Sequence, residues 1–196
     1  MKTLYLMRHG ETIFNQKMLL QGQCDAPLTK LGINQAKIAG QYFTNNNIKI
    51  DQFFASPLKR AIDTLKLVTN LQDVELTCDD GLMEWGFGLL EGESQKLFPC
   101  GFPYEERLVP FNGEAQSQVL DRFSNAINSI IEQTQEGNTS LCVAHTCVIR
   151  LFLQVCNADC EVPRRLGNCA IVKLEFDNNE FIIKEVIEHD FSSIME

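Results

Sequence analysis

The sequence contains no run of about 20 apolar residues, the length a helix needs to cross a bilayer, so no membrane span is expected. No export segment is expected either: the apolar stretch Leu4-Tyr5-Leu6-Met7 is closed by Arg8 and falls short of the roughly 7–15 residues of a signal-peptide core. The chain is therefore read as cytoplasmic. Basic residues are scarce. Lys and Arg number 17 against 26 Asp and Glu, and the net charge of -9 argues against nucleic acid as a partner, because backbone phosphates call for a basic face. Any anion bound here must meet a local cationic pocket. Cys-x-x-Cys pairs are absent. The eight cysteines (Cys24, Cys78, Cys100, Cys142, Cys147, Cys156, Cys160 and Cys169) stand singly, which reads as small buried hydrophobes rather than zinc ligands or a redox pair.

What is present is the raw material of one domain. A chain of 196 residues buries enough surface for a real core, and no repeat or low-complexity tract divides it, so residues 1–196 are expected to form a single unit. Leu4 to Met7, Gln52 to Ala55 and Leu141 to Ala144 read as short buried strands. Thr29 opens a helical stretch with Leu31, Ile38 and Tyr42 on one face. Leu58, Ile62 and Leu65 repeat at helical spacing, as do Val119, Phe123, Ile127, Ile130 and Ile131, and another helix is expected from Val148. Two alternating runs, Ala170 to Phe176 and Phe181 to Ile187, flank the turn Asp177-Asn178-Asn179-Glu180 and predict a terminal hairpin. The pattern predicts an α/β sandwich: a mostly parallel central sheet with helices on both faces and the antiparallel hairpin at one edge. Residues 85–112 have weak periodicity and five Phe or Tyr residues, the pattern of a lid or binding loop on the substrate side.

Polar residues fall just past the ends of three predicted strands: Arg8-His9-Gly10, Ser56 to Arg60, and His145-Thr146. In open α/β sheets ligands bind at that edge. The chain has only three histidines, and two of them stand at equivalent strand ends beside arginines. With no cluster of carboxylates this is an anion site rather than a metal site, because guanidinium forks match phosphate or carboxylate oxygens in pairs. Phosphoryl transfer needs an in-line nucleophile, donors on the equatorial oxygens and an acid for the leaving oxygen. His9 can serve as nucleophile while neutral, a state its neighbouring arginines favour, and His145 can donate to the same phosphoryl group.

Arg8-His9-Gly10-Glu11-Thr12, followed by Asn15, Gly22 with Asp25, Pro27-Leu28-Thr29, Gly32 and Gln35-Ala36, resembles the N-terminal signature of the phosphoglycerate mutase-like histidine phosphatases. Ser56-Pro57-Leu58 with Arg60-Ala61 and Thr64 is similar to that family's second motif, and Leu82, Glu84, Gly88 and Glu91-Gly92 to its third. The resemblance implies that His9 takes the phosphoryl group, that Arg8, Arg60 and His145 bind its oxygens, that Asn15 assists, and that Glu84 is the proton donor. It implies neither metal nor cofactor. For Glu84, nearby cations favour the carboxylate whereas a dianionic substrate favours the protonated acid, so its competence as an acid is expected in the complex. One departure stands out: the family usually has Gly after its second histidine, and this chain has Thr146.

Within that family the mutases are typically longer after the Glu motif, whereas Gly113-Glu114-Ala115 with Arg122 approximates the short-chain phosphatase pattern. The expected reaction is hydrolysis of a phosphomonoester. Mutase-type phosphotransfer is the alternative, together with a weakly active phospholigand-binding module that Thr146 would favour. No cysteine is followed six positions later by Arg, which excludes a cysteine-dependent phosphatase loop. The expected partner is a small phosphorylated metabolite with a neutral or apolar body. Trp85, Phe87, Phe98, Phe102, Tyr104 and Phe111 would line the pocket, where only Lys96 and Arg107 are basic. The chain is expected to be a monomer or homodimer.

Overall fold

The structure is a computed structural model that describes residues 1–70, 75–97, 104, 106–156 and 166–194. Its centre is a six-stranded sheet: β1 (Lys2–Arg8), β2 (Gln52–Ala55), β3 (Thr77–Cys78), β4 (Thr139–Ala144), β5 (Ile171–Asp177) and β6 (Glu180–Ile187). Their order across the sheet is β3-β2-β4-β1-β5-β6. β1 and β2 pair in parallel with β4, and β3 pairs in parallel with β2. β5 runs antiparallel to β1, and β6 antiparallel to β5, so the predicted hairpin occupies one edge. Its turn needs two residues at positive φ, and Asn178 (49°) and Asn179 (65°) supply them, asparagine being among the few side chains that tolerate this region.

Alternation along the strands divides the core in two. Leu4, Leu6, Phe54, Cys142 and Ala144 face the helices α4 (Gln116–Gln133) and α5 (Thr146–Cys156). Tyr5, Met7, Ala55, Leu141 and Val143 face α2 (Lys30–Asn45) and α3 (Lys59–Thr69), while the four-residue α1 (Ile13–Gln16) sits in the loop after β1. Helices on both faces are what buried, nearly all-apolar parallel strands require.

Two helical readings shift. In α2 the buried residues are Gly32, Gln35, Ala36, Ala39, Gly40 and Phe43, whereas Leu31, Ile38 and Tyr42 are only half-buried. The small residues win the inner face because α3 lies too close for large ones: a Cβ on Gly40 would stand 2.3 Å from the Val68 carbonyl oxygen. α5 begins at Thr146, two residues before the expected Val148, because a distant carboxylate receives its first N–H groups. The α4 stripe is as expected, with Val119, Phe123, Ile127, Ile130 and Ile131 all buried. Of the cysteines, Cys142, Cys147 and Cys169 are buried, Cys24 and Cys156 half-buried and Cys78 exposed. Cys100 and Cys160 lie outside the described residues.

Strand register fixes the site. Arg8 pairs with Ala144 and Ala55 with Val143, so three parallel strands end almost level. The ladder continues one residue further, His9 N–H donating to the Ala144 carbonyl (3.2 Å) and Ser56 N–H to Val143 (3.0 Å). His9, Ser56 and His145 therefore emerge side by side at the carboxyl edge of the sheet.

Candidate active site

His9 and His145 meet edge to face, ring centroids 5.2 Å apart, and both are buried. His9 Nδ1 lies 2.7 Å from the Gly10 carbonyl oxygen. A carbonyl can only accept, so Nδ1 carries the hydrogen and Nε2 keeps its lone pair in the neutral ring. Burial, then the Arg60 and Arg8 guanidinium groups, hold His9 well below the usual imidazole range, against the pull of the Gly10 hydrogen bond. Burial and the charge of Arg60 do the same for His145. Neither His145 ring nitrogen has a hydrogen-bond partner among the described residues.

Gly10 is held by its own surroundings. Its N–H donates to Thr64 Oγ1 (3.0 Å), and a Cβ at Gly10 would stand 2.6 Å from the Gly32 carbonyl oxygen. A Cβ at Gly32 would in turn stand 2.1 Å from the Glu11 carbonyl oxygen. Only two glycines let the start of α2 press against the loop that orients His9.

Arg60, on the first turn of α3, is fully buried. Its Nη2 donates to the Gly22 carbonyl (2.6 Å), and its Nη1 to the Cys24 carbonyl (2.9 Å) and Asp25 Oδ1 (3.0 Å). Its Nε has no partner among the described residues. Burial lowers its basicity while Asp25 and Glu84 oppose that, and a guanidinium stays protonated in either case. Arg8 Nη1 donates to the Leu166 carbonyl (2.6 Å).

Glu84 is buried and spans to the start of α5. Its Oε1 accepts from the N–H groups of Trp85 (2.9 Å) and Val148 (3.1 Å), and its Oε2 from Cys147 (3.1 Å). A helix N-terminus leaves such N–H groups without partners and attracts negative charge. Oε1 is filled by two donors, whereas Oε2 has one and keeps a lone pair for a proton. Thr146, in place of the family's usual Gly, opens this helix and is half-buried.

The structure thus brings Arg8, His9, Arg60, Glu84 and His145 to one edge. Asn15 joins them: its Oδ1 accepts from Thr12 N–H and from Asn168 Nδ2, both at 3.2 Å, and Asn168 Nδ2 also donates to the His9 carbonyl (3.2 Å). Three neighbours escaped the sequence reading. Gln21 Nε2 is a buried donor with no partner among the described residues, while Gln21 Oε1 accepts from Thr12 Oγ1 (2.6 Å). Asn168 bridges Asn15 and His9 from across the fold. Arg150, on α5, lies within charge-interaction reach of Cys147, Tyr104 and Glu84. None has a local signature; position beside Gly22 was the only hint for Gln21.

The expected aromatic wall needs correction. Trp85 and Phe87 are core residues, 0% and 3% exposed, and Tyr104 packs edge-on against both at 5.2 and 5.3 Å. They are drawn inward because this segment lies over the α4–α5 core. Phe111, at 39%, is exposed, whereas Phe98 and Phe102 lie outside the described residues. Lys96 and Arg107 are exposed. Among the described residues no three His, Cys, Asp or Glu side chains gather as a metal site, and no helix is long and apolar enough to cross a membrane.

Comparison with known proteins gives the family. The "Probable phosphoglycerate mutase GpmB" of Yersinia pestis is 28% identical over 194 residues, covering 93% of this chain and 88% of that protein. The solved structure of YhfR from Bacillus stearothermophilus superposes with a TM-score of 0.82 at 27% identity, over 93% of this chain and 95% of that one. Phosphoserine phosphatase from Entamoeba histolytica, solved with 3-phosphoglyceric acid, gives 0.77 at 25% identity, over 96% and 98% of the two chains. The Histidine phosphatase superfamily (branch 1) profile matches residues 4–189, and the chain belongs to that superfamily.

Proposed function

We propose that this protein is a metal-independent phosphomonoester hydrolase that works through a phosphohistidine on His9. The observation that carries the reading is the state of His9: buried, neutral, and turned by the Gly10 carbonyl so that Nε2 presents its lone pair beside a second buried histidine and two arginines. Nε2 attacks the phosphorus in line. A P–N bond forms as the P–O bond to the leaving group breaks, and Glu84 Oε2 delivers the proton to the departing oxygen. Water then attacks the phosphohistidine, Glu84 takes its proton, and the P–N bond breaks to release inorganic phosphate and neutral His9. Arg8, Arg60, His145, Asn15 and Gln21 hold the phosphoryl oxygens; the buried donors of His145, Arg60 and Gln21 that have no partner among the described residues suit this role.

The substrate is a small phosphorylated metabolite taken up in the reducing cytoplasm, with residues 85–112 as the substrate-side loop. Hydrolysis is preferred to phosphotransfer because the described chain between Glu84 and α4 is a set of short single turns and Glu114 is already tied to Arg122, as in the short-chain phosphatase pattern. The mutase reading keeps support from the name of the Yersinia relative. The test is turnover of an aryl phosphate by the purified protein in excess chelator, beside His9→Ala. Chelator-resistant hydrolysis that vanishes in the variant supports the proposal; a folded wild type that binds phosphate but does not turn over would sink it in favour of a mutase or a binding module.

A further inference from the structure

We infer that Arg122 and Glu114, on and just before α4, are a positioning pair for the general acid, setting how well the enzyme expels a poor leaving group. The inference rests on the reading of Glu84 as proton donor. Glu84 sits on an irregular loop rather than on a helix or strand, so its placement depends on what holds that loop's backbone. Three consecutive-turn carbonyls are held by one side chain: Arg122 Nη1 donates to Gly81 (3.0 Å) and Met83 (2.7 Å), and Nη2 to the carbonyl of Glu84 itself (2.9 Å).

That guanidinium is fixed in turn by Glu114, whose Oε1 accepts from Nε and Oε2 from Nη2, both at 2.7 Å. This fork-to-fork geometry is one that only arginine provides. Glu114 reaches the loop from its other side as well. Its Oε2 accepts from Gly86 N–H (2.7 Å), and its carbonyl from Trp85 Nε1 (2.8 Å). The carboxyl of Glu84 is thereby held between two anchors, the clamp on its backbone and the start of α5 on its side-chain oxygens. Gln23 Nε2 also donates to Glu114 Oε2 (3.2 Å), which links the clamp to the loop whose Gly22 and Cys24 carbonyls orient Arg60. The pair touches no reacting atom in this arrangement; it acts through Glu84.

A mispositioned acid matters according to the leaving group. A nitrophenolate departs with little help, whereas an alkoxide needs its proton as the P–O bond breaks. The step that distinguishes them ends with release of the alcohol, so kcat/KM isolates it from the later attack of water. The experiment compares kcat/KM for p-nitrophenyl phosphate and glycerol 2-phosphate in the wild type, Arg122→Lys and Glu114→Gln. Arg122→Lys keeps the charge and loses the fork; Glu114→Gln is nearly isosteric and guards against a variant that simply unfolds.

The expected result is a fall of about 100-fold for the alkyl ester, the lower end of what general acid catalysis contributes, with a much smaller fall for the aryl ester. Added methylguanidinium should restore alkyl-ester turnover to Arg122→Ala. Equal falls for both esters in a folded variant, or no fall in either, overturn the positioning role. A wild type silent on both esters overturns the hydrolase reading instead, and this inference with it.

Discussion

Two buried neutral histidines tie the stability of the fold to pH, and the size of the effect follows from their burial. In the unfolded chain each imidazole takes a proton with a pKa of about 6.5. In the folded chain burial and the arginines keep both His9 and His145 well below that, so folding favours their neutral forms. Their stabilising contribution is therefore complete above about pH 6.5 and is lost as pH falls below it, because the unfolded state then binds protons that the folded state refuses. With both rings still neutral in the fold, acidification from about pH 7.5 to 5.5 costs about 1.4 kcal/mol for each histidine, or about 2.7 kcal/mol together. Urea denaturation across this range measures it. Other groups titrate too, so the decisive quantity is the difference in slope between the wild type and His9→Asn/His145→Asn, which carries no imidazole at either position. The double variant should lose about 2.7 kcal/mol less over the same interval. Parallel curves for the two proteins would refute the claim that these histidines are buried uncharged. Added inorganic phosphate should raise wild-type stability throughout, by its binding to the folded state alone.

Glu84→Gln should abolish most alkyl-ester hydrolysis and also lower stability by about 1–3 kcal/mol, because an amide NH2 would then face one of the N–H groups of Trp85, Cys147 or Val148; thermal melts and kinetics read the two effects separately. Gly32→Ala should destabilise by about 1–3 kcal/mol, since its Cβ would lie 2.1 Å from the Glu11 carbonyl, and should also lower kcat by shifting the loop that orients His9. A denaturation curve unchanged by this substitution would mean that α2 yields freely. Arg60→Lys should weaken competitive inhibition by inorganic phosphate by about tenfold or more, as one ammonium cannot hold both the Gly22 and Cys24 carbonyls while facing the anion. Equal inhibition constants would remove Arg60 from the phosphate site.

The fold and the candidate site are legible in the sequence for the same reason: apolar runs that stop at a charged or aromatic polar residue mark where a buried strand reaches the sheet edge. Leu4 to Met7 leading into Arg8-His9, and Leu141 to Ala144 leading into His145, give both strands and both histidines at once. What failed to show was set by distance in the chain. The inner face of α2 looked wrong because close packing on Val68 selects Gly40 and Ala36 over larger apolar residues, and periodicity of large side chains then marks the flanks of the stripe. Trp85 and Phe87 share the composition of a ligand wall and of a core, and only the packing over α4 and α5 separates the two. Gln21 and Asn168 reach the candidate site through partners that no local spacing announces, and Arg122 is visible only as half of a resembled motif.

The arrangement also offers an acidic chain a way to hold the dianion proposed as its substrate. Four carboxylates crowd this edge, and each is turned onto donors of the protein. Asp25 faces Arg60, and Glu91 accepts from the N–H groups of Gln23 (2.7 Å), Cys24 and Phe87 (3.1 Å). Glu114 faces Arg122 and Gly86 N–H, and Glu84 faces the start of α5. Their charge is thereby met by loop and helix N–H groups, while Arg60 Nε and the ring of His145 remain unfilled by the described residues. Local donors decide at contact distance, since the net charge of -9 is spread over a surface where ions screen it within about 10 Å. The same carboxylates stitch the loop of Gly22 to the loop of Glu84, so the groups proposed to bind the phosphoryl and to protonate its leaving group are fixed relative to each other. An irregular backbone can then do what a helix or strand does for other catalytic groups: hold two reactive side chains in one geometry before the substrate arrives.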